Sequence, residues 1–364
     1  MTARREVVLV AGARPNFMKV APIARALAKS ATLTGTIVHT GQHYDRQMSD
    51  LFFEQLGIPE PEIKLGVGSG THAAQTAEVM LRLEPVLVSR RPALVLVVGD
   101  VNSTVAAALV ASKLGIPVAH VEAGLRSRDR AMPEELNRIV TDALSDLLFV
   151  SEPSGLANLA QEGTPETKVH FVGNVMIDTL LRFRDAAARL DMPDRLGLPA
   201  KGYAVLTLHR PANVDAPDAL RALLDPILEL SDSVPVLFPV HPRTRAGLLA
   251  LGAGDRPGFR LVDPMGYLEF LGAMSAARLV LTDSGGIQEE TTVLGVPCVT
   301  LRDNTERPST LTEGTNRLAG TTSAGVRAAI SETLDHPREG KVPQLWDGRA
   351  AERIVAVLER SLAD

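Results

Sequence analysis

The sequence predicts an α/β protein built from two domains, each with a parallel β-sheet. Short apolar runs alternate with longer helical patterns along the chain, and this alternation is typical of β-α-β units. The chain has 364 residues, which is too long for one ordinary core and a natural length for two domains. The polar segment 182–202 mixes a helical pattern with Pro and Gly, so it is the best candidate for a linker.

The predicted strands fall into two similar halves. The apolar runs are EVVLVAG, TIVHT, LVLVVG, PVAHVE, LLFVS and VHFVG in the first half, and YAVLTLH, PVLFPV, FRLV, LVLT and PCVTL in the second. The segments LVLVVGDVNSTVAAALVASKLGIPVAHVE and LVLTDSGGIQEETTVLGVPCVTLRD share one pattern of strand, Asp-led turn, helix and strand. Any β-α-β unit whose helix ends at a Gly and whose next strand follows a Pro has this form, so the repeat alone is not decisive. The expected architecture is two Rossmann-like domains facing each other across a cleft, with ligands at the carboxyl ends of the strands.

Composition excludes several classes of protein. Hydrophobic residues make up 45% and charged residues 22%, the balance of a globular protein. The net charge is -5 without a basic block, so neither nucleic acid nor an anionic membrane is an expected partner. The single cysteine, Cys298, cannot form an intrachain disulfide, which fits a reducing compartment. No apolar segment approaches the roughly 20 residues of a membrane span, and the N-terminus is interpreted as a first strand and not a signal peptide. We therefore expect a soluble cytoplasmic protein.

The segment DSGGIQEE follows the predicted strand LVLT and opens a helix. Ser284, Gly285 and Gly286 would present backbone N–H groups at the positive end of the helix dipole, an arrangement that favours phosphate. Glu290 follows one turn along the helix, within reach of a ribose diol. A well-capped helix with acids in its first turns has the same pattern, so both interpretations stay open on this segment alone.

Basic residues follow two other predicted strands. The turn AGARPNFMK carries Arg14 and Lys19 after the first strand, and His209 and Arg210 follow YAVLTL. Each is, singly, more often a surface or capping residue, but the position past a strand end favours a site. The first turn lacks the G-x-G-x-x-G of dinucleotide-binding domains. The run GVGSGT, which begins at Gly66, is predicted to be a loop that enters a helix.

Acidic residues surround the end of the predicted strand PVAHVE. Glu122 ends this strand, and an arginine-rich loop then leads to Glu134 and Glu135 directly after Pro133. Desolvating charged groups at the mouth of a core strand is costly, which indicates a ligand there. Acids behind a proline are also favoured in the first turn of a helix by its dipole. These residues alone leave the two interpretations equally weighted.

A set of motifs spans nearly the whole chain in order: GARPNFMKVAP, TGQHYD, GDVNST, HVEAGLRS, MPEELNR, VGNVMID, TLHRPANVD, FPVHPRT, TDSGGIQEE and DNTERPSTLTEGTNRL. As a set they resemble the non-hydrolysing UDP-N-acetylglucosamine 2-epimerases. The resemblance implies a glycosyltransferase-B architecture, with an N-terminal domain at 1–175 on the sugar side and a UDP-binding C-terminal domain at 176–347. It also implies that a last helix, at about 348–364, joins the N-terminal domain, and that the protein is a homodimer.

The resemblance assigns roles to residues at matching motif positions. Asp100, Glu122 and Glu134 match the family's catalytic carboxylates, and His209 matches a histidine beside the diphosphate that is counted with them. Met265 stands where relatives have glutamine, so the resemblance does not extend to that contact with the base. The expected substrate-binding residues are Arg14, Lys19, Phe270, Ser284, Gly285, Gly286, Glu290 and Arg307.

The resemblance implies epimerisation of UDP-N-acetylglucosamine at C2, to give UDP-N-acetylmannosamine, a precursor of cell-surface polysaccharide. The C2 hydrogen has no neighbouring carbonyl and is a poor acid. Elimination of UDP from C1 with loss of the C2 proton gives a 2-acetamidoglucal, to which UDP adds back after protonation of the other face. This route needs carboxylates around the sugar and N–H groups or cations on the diphosphate. The sequence shows neither a G-x-G-x-x-G turn nor a His/Cys/Asp cluster with metal-ligand spacing, so we expect neither a metal nor a nicotinamide cofactor.

Other functions stay open at this stage. A glycosyltransferase of the same architecture would share the DSGG turn but would need an acceptor, and a nucleotide-sugar sensor would bind without proton exchange. Hydrolysing epimerases resemble the chain in outline but carry a second glycine where Ala123 stands. Epimerases of UDP-diacetamido-glucuronate tend to have Asn where Leu125 stands. The sequence HVEAGLR therefore favours the plain UDP-N-acetylglucosamine group, with a related UDP-2-acetamido sugar as an alternative.

Regulation by the substrate is a further implication of the resemblance. In some bacterial members UDP-N-acetylglucosamine also activates the enzyme, and Gln42 and His43 in GQHYD fit the segment involved. The segment GVGSGTHAAQT has no arginine where activated relatives place one, and neither Ser69 nor His72 provides a bidentate fork. We therefore expect weak or absent activation.

Overall fold

The protein divides into two compact units in the computed structural model. The structure describes residues 4–41, 57, 60–240 and 242–363. The first unit comprises Met1–Thr179 and Gln344–Asp364, and the second comprises Leu180–Pro343. Each unit has its own sheet and its own apolar core, which confirms the predicted α/β fold class with two Rossmann-like domains.

Within the described residues, the sheet of the first unit has seven strands, all parallel. The strands are β1 (Arg5–Ala11), β2 (Leu33–His39), β3 (Ile63–Lys64), β4 (Leu94–Val98), β5 (Val118–Ala123), β6 (Leu147–Val150) and β7 (Val169–Phe171). Their order is β3-β2-β1-β4-β5-β6-β7. The helices that follow are α1 (Arg14–Ala28), α2 (His72–Arg90), α3 (Asn102–Lys113), α4 (Pro133–Leu144), α5 (Pro153–Gln161) and α6 (Val175–Ala188).

The part of the second unit that the structure describes has a sheet of six parallel strands. The strands are β8 (Ala204–Thr207), β9 (Val236–Pro239), β10 (Phe259–Val262), β11 (Leu279–Thr282), β12 (Cys298–Thr300) and β13 (Asn316–Leu318), in the order β10-β9-β8-β11-β12-β13. The helices are α7 (Met192–Leu196), α8 (Pro211–Val214), α9 (Pro217–Leu230), α10 (Pro242–Ala250), α11 (Tyr267–Ser275), α12 (Gly285–Leu294), α13 (Ser309–Thr312) and α14 (Ser323–Asp335).

The strand order reverses once in each sheet, between β1 and β4 and between β8 and β11. The connections on the two sides of such a reversal leave in opposite directions, so a crevice opens at the carboxyl ends of the two central strands. The repeated segments of the sequence are β4-α3-β5 and β11-α12-β12, which occupy equivalent positions in the two sheets. The repeat therefore marks the crevice side of each unit.

All the apolar runs singled out in the sequence form strands. The two strands that were missed, β3 and β13, are the short edge strands IK and NRL. Each lies at a sheet edge, paired on one side only, and lacks a continuous apolar run. The other two edge strands, β7 and β10, carry apolar runs and were identified, so the apolar run and not the position in the sheet decides whether a strand is found.

The chain passes between the units inside a helix. The division falls between Thr179 and Leu180, within α6, so the segment 182–202 is not the linker that its composition indicated. That segment contains the end of α6 and the whole of α7. Thr179 donates a hydrogen bond to the Met18 carbonyl at 2.6 Å, so the first half of α6 is fixed to α1.

The C-terminal segment returns to the first unit and ends in α15 (Ala350–Ser361). The indole N–H of Trp346 donates to the Ser151 carbonyl at 2.8 Å. Gly173 lies so close to the Leu345 carbonyl that a Cβ atom would overlap it. The returning backbone therefore requires glycine in the motif VGNVMID.

None of the described helices is both long enough and apolar enough to cross a membrane.

Asp178, in the same motif, caps α15 from a distant part of the sequence. Its carboxylate accepts the N–H groups of Ala350 at 3.1 Å and Ala351 at 2.8 Å. These N–H groups lack partners inside their own helix, and the helix dipole favours an anion there. Burial nevertheless raises the pKa of Asp178 to about 6, since the two N–H groups and Arg353 only partly offset the desolvation and the nearby Asp347.

The raised pKa of Asp178 predicts a pH dependence of stability. A group whose pKa is raised by folding stabilises the folded state fully below its unfolded pKa of about 4, and this contribution is lost as pH rises through about 6. Asp178→Asn removes this dependence. The free energy of unfolding of wild type, relative to the variant, should therefore fall by up to about 3 kcal/mol between pH 4 and 7 in urea titrations.

The matched control is Asp185→Asn, which changes an exposed aspartate on the same helix. Its unfolding free energy should follow that of wild type at every pH. A difference between wild type and Asp178→Asn that stays constant from pH 4 to 7 would contradict the prediction.

Candidate active site

The first group of polar residues lies at the carboxyl ends of β1, β4 and β5, where the strand order of the first sheet reverses. Lys19 on α1 places its amine 2.5 Å from the Glu122 carboxylate, and both side chains are buried. Asn16 accepts the N–H groups of Gly12 and Ala13 and donates to the Val98 carbonyl at 3.2 Å. The turn that precedes Lys19 is therefore held by hydrogen bonds to the end of the neighbouring strand β4.

Glu122 has an unusual backbone conformation. Its φ is 73°, in the left-handed region, and the register of β5 against β6 shifts between Val121 and Ala123. This β-bulge takes Glu122 out of the regular alternation of side chains along the strand. Such a conformation costs about 1–3 kcal/mol for a residue with a side chain, and residues of this kind concentrate at functional sites.

Asp100 follows β4 and pairs with an arginine that the sequence reasoning missed. Arg138 on α4 places Nη1 2.5 Å from Asp100 Oδ2, and its Nη2 lies 2.7 Å from Glu135 Oε2. Arg138 is buried, whereas about a quarter of the Asp100 side chain is exposed. The spacing Glu135-x-x-Arg138 on one helix was the available signal, since residues three apart share a helix face.

The adjacent acids Glu134 and Glu135 differ in environment. Glu135 is buried and accepts the backbone N–H groups of Ser127 and Arg128, both at 2.9 Å. Burial raises the pKa of Glu135, but these N–H groups and Arg138 outweigh it and hold that pKa below its usual value. Glu134 is half-buried, and its carboxylate makes no hydrogen bond or ion pair with the described residues. Glu135 therefore holds the arginine-rich loop, and Glu134 is the acid available to a ligand.

The second group lies where the strand order of the second sheet reverses. Asp283, fully buried after β11, lies 2.7 Å from His209 Nδ1. It also accepts the backbone N–H of Arg210 at 3.0 Å and the side-chain amide of Asn213 at 3.1 Å. Burial raises the pKa of Asp283, but His209 and the loop N–H groups outweigh it and lower that pKa. Asp283 is thus a carboxylate that fixes the turn after β8, and the His209 ring is mostly exposed.

The helix α12 opens with the predicted phosphate-binding turn. Ser284 is its N-cap residue with extended backbone, but the serine hydroxyl caps no N–H group of the helix. Arg307 lies so close to Gly285 that a Cβ atom there would overlap its guanidinium group. Arg307 is buried and forms ion pairs with two glutamates. Its Nε lies 2.8 Å from Glu289 Oε1, and its Nη1 contacts Glu306. The geometry joins a positive helix end to an arginine, a combination suited to an anion.

Glu290, one turn along α12, is also buried. The hydroxyl of Tyr267 donates to its Oε1 at 2.9 Å, a contact that the sequence reasoning missed. Burial raises the pKa of Glu290 to about 7; the Tyr267 hydrogen bond opposes this shift and the neighbouring Glu289 adds to it. Phe270 lies three residues after Tyr267 on α11 and is half-buried.

The remaining site predictions are placed as follows. Gly286 lies in the first turn of α12, and Arg14 begins α1. Gln42 and His43 lie outside the described residues. The part of the chain that the structure describes contains no group of three or more His, Cys, Asp or Glu residues able to hold a metal ion.

Comparison with known proteins identifies the family of the chain. A model of the family described as UDP-N-acetylglucosamine 2-epimerase matches residues 25–359. The chain belongs to this family. It is therefore an epimerase with the glycosyltransferase-B type of fold, and the glycosyltransferase alternative loses its support.

Individual relatives cover almost the whole chain. The UDP-N-acetylglucosamine 2-epimerase of Methanocaldococcus jannaschii is 42% identical over 359 residues, which are 96% of this chain and 98% of the relative. The UDP-2,3-diacetamido-2,3-dideoxy-D-glucuronate 2-epimerase of Pseudomonas aeruginosa is 41% identical over 359 residues, 98% of this chain and 99% of the relative. Two relatives with different named substrates are thus about equally similar.

Solved structures agree with the family. The M. jannaschii UDP-GlcNAc 2-epimerase in complex with UDP-GlcNAc and UDP has a TM-score of 0.90 at 41% identity, covering 98% of this chain and 99% of that chain. The Neisseria meningitidis UDP-GlcNAc 2-epimerase bound to UDP-GlcNAc has a TM-score of 0.90 at 30% identity, covering 98% and 100%.

The contact between Lys19 and Glu122 predicts a specific effect of Gly99→Ala on epimerase turnover. Gly99 has φ +65°, and a Cβ atom there would lie 3.0 Å from Lys19 Nζ. The added methyl group should displace the amine from Glu122. The matched control is Gly115→Ala, which has φ +70° and no atom near the new Cβ. Both variants should lose about 1–2 kcal/mol of stability through positive φ, but only Gly99→Ala should also lose turnover. Equal turnover in the two variants would contradict this.

Proposed function

We propose that the protein interconverts UDP-N-acetylglucosamine and UDP-N-acetylmannosamine by eliminating UDP and adding it back. The observation that carries this proposal is the buried Lys19–Glu122 ion pair, placed at a strained bulge next to the turn that bears Asp100. Two relatives named as UDP-GlcNAc 2-epimerases, from M. jannaschii and N. meningitidis, bind UDP-GlcNAc in their solved structures. A charged pair of this kind is costly to bury, so a chemical use for it is the simplest explanation of its presence.

The first unit is proposed to act on the sugar. A carboxylate takes the C2 proton, the C2–H electron pair forms the C1=C2 double bond, and the C1–O bond breaks with its electrons going to UDP. Protonation of C2 on the other face and attack of a UDP oxygen at C1 complete the epimerisation. Asp100, Glu122 and Glu134 are proposed as the proton-transfer set, with Lys19 and Arg138 holding two of these carboxylates in place.

The second unit is proposed to hold UDP. The N–H groups of Gly285 and Gly286 lie at the positive end of α12, and Arg307 lies against the same turn. The N–H group of Ser284, which the sequence predicted as a third donor, instead donates to Thr282 Oγ1 at 3.0 Å. These groups suit the diphosphate, whose negative charge increases when it leaves C1. His209, held by Asp283 at 2.7 Å, is proposed to donate to the departing diphosphate. Arg14 and Phe270 are proposed as further contacts with the nucleotide, and Glu290 is proposed to accept the ribose hydroxyls.

The alternative substrate is a related UDP-2-acetamido sugar. The specific observation in its favour is the P. aeruginosa diacetamido-glucuronate epimerase, 41% identical to this chain. An added carboxylate on the sugar would need a cationic partner, whereas an unsubstituted hydroxymethyl group would not. The ratio of kcat/KM for the two nucleotide sugars distinguishes the substrates. UDP-N-acetylglucosamine should be the better one.

The experiment that tests the function is incubation with UDP-N-acetylglucosamine alone in heavy water, followed by proton NMR. An epimerase produces UDP-N-acetylmannosamine without an acceptor and incorporates deuterium at C2. Production of free N-acetylmannosamine with stoichiometric UDP indicates the hydrolysing reaction. Absence of product together with tight UDP binding indicates a sensor.

We predict that Glu122→Gln and Asp100→Asn retain UDP binding and lose most turnover. Acid–base groups contribute about 10²–10⁴-fold to rate, and the proposed UDP contacts lie in the other unit. Isothermal titration with UDP and steady-state kinetics separate the two effects. Glu290→Ala is the reciprocal control, since it should weaken UDP binding first. Loss of UDP affinity in proportion to rate in Glu122→Gln would show that Glu122 binds the ligand instead.

The pKa of Glu290 predicts that UDP affinity depends on pH. The carboxylate form accepts two ribose hydroxyls, and burial raises the pKa of Glu290 to about 7, so protonation at pH 6 should weaken UDP binding. We expect UDP binding to be about tenfold weaker at pH 6 than at pH 8, because pH 6 lies one unit below the pKa of a single titrating group. Glu290→Gln keeps the side-chain shape and should show only the dependence that comes from UDP itself. Parallel profiles in the two proteins would exclude this role.

A further inference from the structure

His120 lies on β5 two residues before Glu122 and is completely buried. Its Nδ1 is 2.6 Å from Asp142 Oδ1, on α4. Its Nε2 is 2.8 Å from the carbonyl oxygen of Gly99, at the end of β4. The ring therefore connects three elements of the first unit: β5, α4 and the turn after β4.

Both ring nitrogens face groups that accept hydrogen bonds. The Gly99 carbonyl can only accept, so Nε2 carries a proton. Burial raises the pKa of Asp142, but His120 and Arg126 outweigh this effect and hold that pKa below its usual value. A second hydrogen bond joins Nδ1 to Asp142 Oδ1, so the ring is held at both nitrogens. Arg126 pairs with Asp142 at 2.7 Å and with Glu162 at 2.7 Å, which balances the buried charges.

The histidine and its carboxylate partner fix the backbone on both sides of the proposed proton-transfer residues. Gly99 precedes Asp100, and its N–H group donates a hydrogen bond to the Val121 carbonyl at 3.0 Å. The Gly99 carbonyl accepts a hydrogen bond from His120 Nε2. The other oxygen of Asp142 accepts the N–H of Gly124 at 3.0 Å, just after the Glu122 bulge. One network thus reaches the turn of Asp100 and the positive-φ bulge of Glu122.

We propose that His120, acting with Asp142, is a positioning residue that sets the separation of the Asp100 and Glu122 carboxylates. This inference rests on the proposed function, because it assigns His120 a role in proton transfer at C2. His120 touches neither the sugar nor the nucleotide. It acts through the Gly99 carbonyl and, by way of Asp142, through the Gly124 N–H.

Packing alone does not explain a histidine at this position. The register partners of His120 on the neighbouring strands are Val97 and Leu148, both buried. An apolar side chain would satisfy the same core pattern without the cost of desolvating an ion pair. Buried ion pairs are retained where they select one geometry over others, and the geometry selected here includes a strained φ of 73° at Glu122.

Each of two variants removes one of the two hydrogen bonds of the His120 ring. His120→Gln places an amide donor near the Nε2 position and keeps the link to Gly99, and His120→Asn places one near Nδ1 and keeps the link to Asp142. We expect kcat to fall about 10²-fold in both, because displacements of about 1 Å in a proton-transfer geometry have effects of this size. The Kd for UDP should stay within twofold of wild type, since the proposed UDP contacts lie in the other unit.

The control for a merely structural role is His170→Gln, which changes a half-buried histidine on β7 of the same sheet. It should retain wild-type kcat. A His120 variant that loses kcat and UDP affinity together, or one that retains kcat, overturns the proposal. Melting temperatures are measured in parallel, and a variant too unstable to purify is replaced by the other of the pair.

Asp142→Asn separates geometry from charge. Its amide nitrogen can donate to Nδ1 and its oxygen can accept from Gly124, so the hydrogen bonds persist while the charge of the carboxylate is removed. Positioning predicts a kcat within tenfold of wild type. A loss as large as that of His120→Gln would mean that charge in this network acts directly, and the positioning role would be wrong.

Two measurements do not depend on activity. In wild-type protein with ¹⁵N-labelled histidine, Nε2 of His120 should carry a proton, as donation to the Gly99 carbonyl requires. A crystal structure of His120→Gln should show a changed separation of the Asp100 and Glu122 carboxylates. A wild-type ring without a proton on Nε2, or an unchanged separation, overturns the positioning role. Wild-type protein without epimerisation overturns the proposed function instead, and these two measurements still decide whether His120 fixes the two carboxylates.

Discussion

The buried ion pair between Lys19 and Glu122 is the interaction on which the arrangement of the first unit depends. Two charges 2.5 Å apart are withdrawn from water, and such a pair stabilises a protein only where its geometry is enforced. Several features enforce it here. Asn16 ties the turn before Lys19 to β4, Gly99 leaves room for the amine, and the β5 bulge turns Glu122 out of the sheet. The backbone strain at the bulge is a cost of placing the carboxylate at this point.

The second unit repeats the same order of strands with a different set of polar residues at the reversal. Its central residue is Asp283, which organises backbone N–H groups and a histidine and is itself inaccessible to solvent. The absence of a side chain at Gly285 lets Arg307 approach the start of α12. Parallel sheets with one reversal of strand order thus provide two separate polar edges.

The sequence predicts most of the fold and only part of the site. Buried parallel strands are continuous apolar runs, so they are easily identified, whereas the edge strands β3 and β13 carry no such signal. The pairing of Arg138 with Asp100, the hydrogen bond of Tyr267 to Glu290 and the positive φ of Glu122 were not predicted. Each depends on contacts between segments far apart in the chain or on a backbone angle, which motif spacing does not encode. Composition also placed the linker at 182–202, although the boundary between the units lies between Thr179 and Leu180.

The return of residues 344–364 to the first unit has a consequence for biosynthesis. The ribosome produces the last helix only after the entire second unit has been made, so the first unit is begun first and completed last. Until then the surface of α1 that receives α15 stays uncovered, and the Asp178 carboxylate has no helix end to cap. Exposed apolar surface on a nascent chain is prone to aggregation, so this is the stage at which chaperone binding would matter most. The second unit, an uninterrupted stretch of chain, carries no such delay.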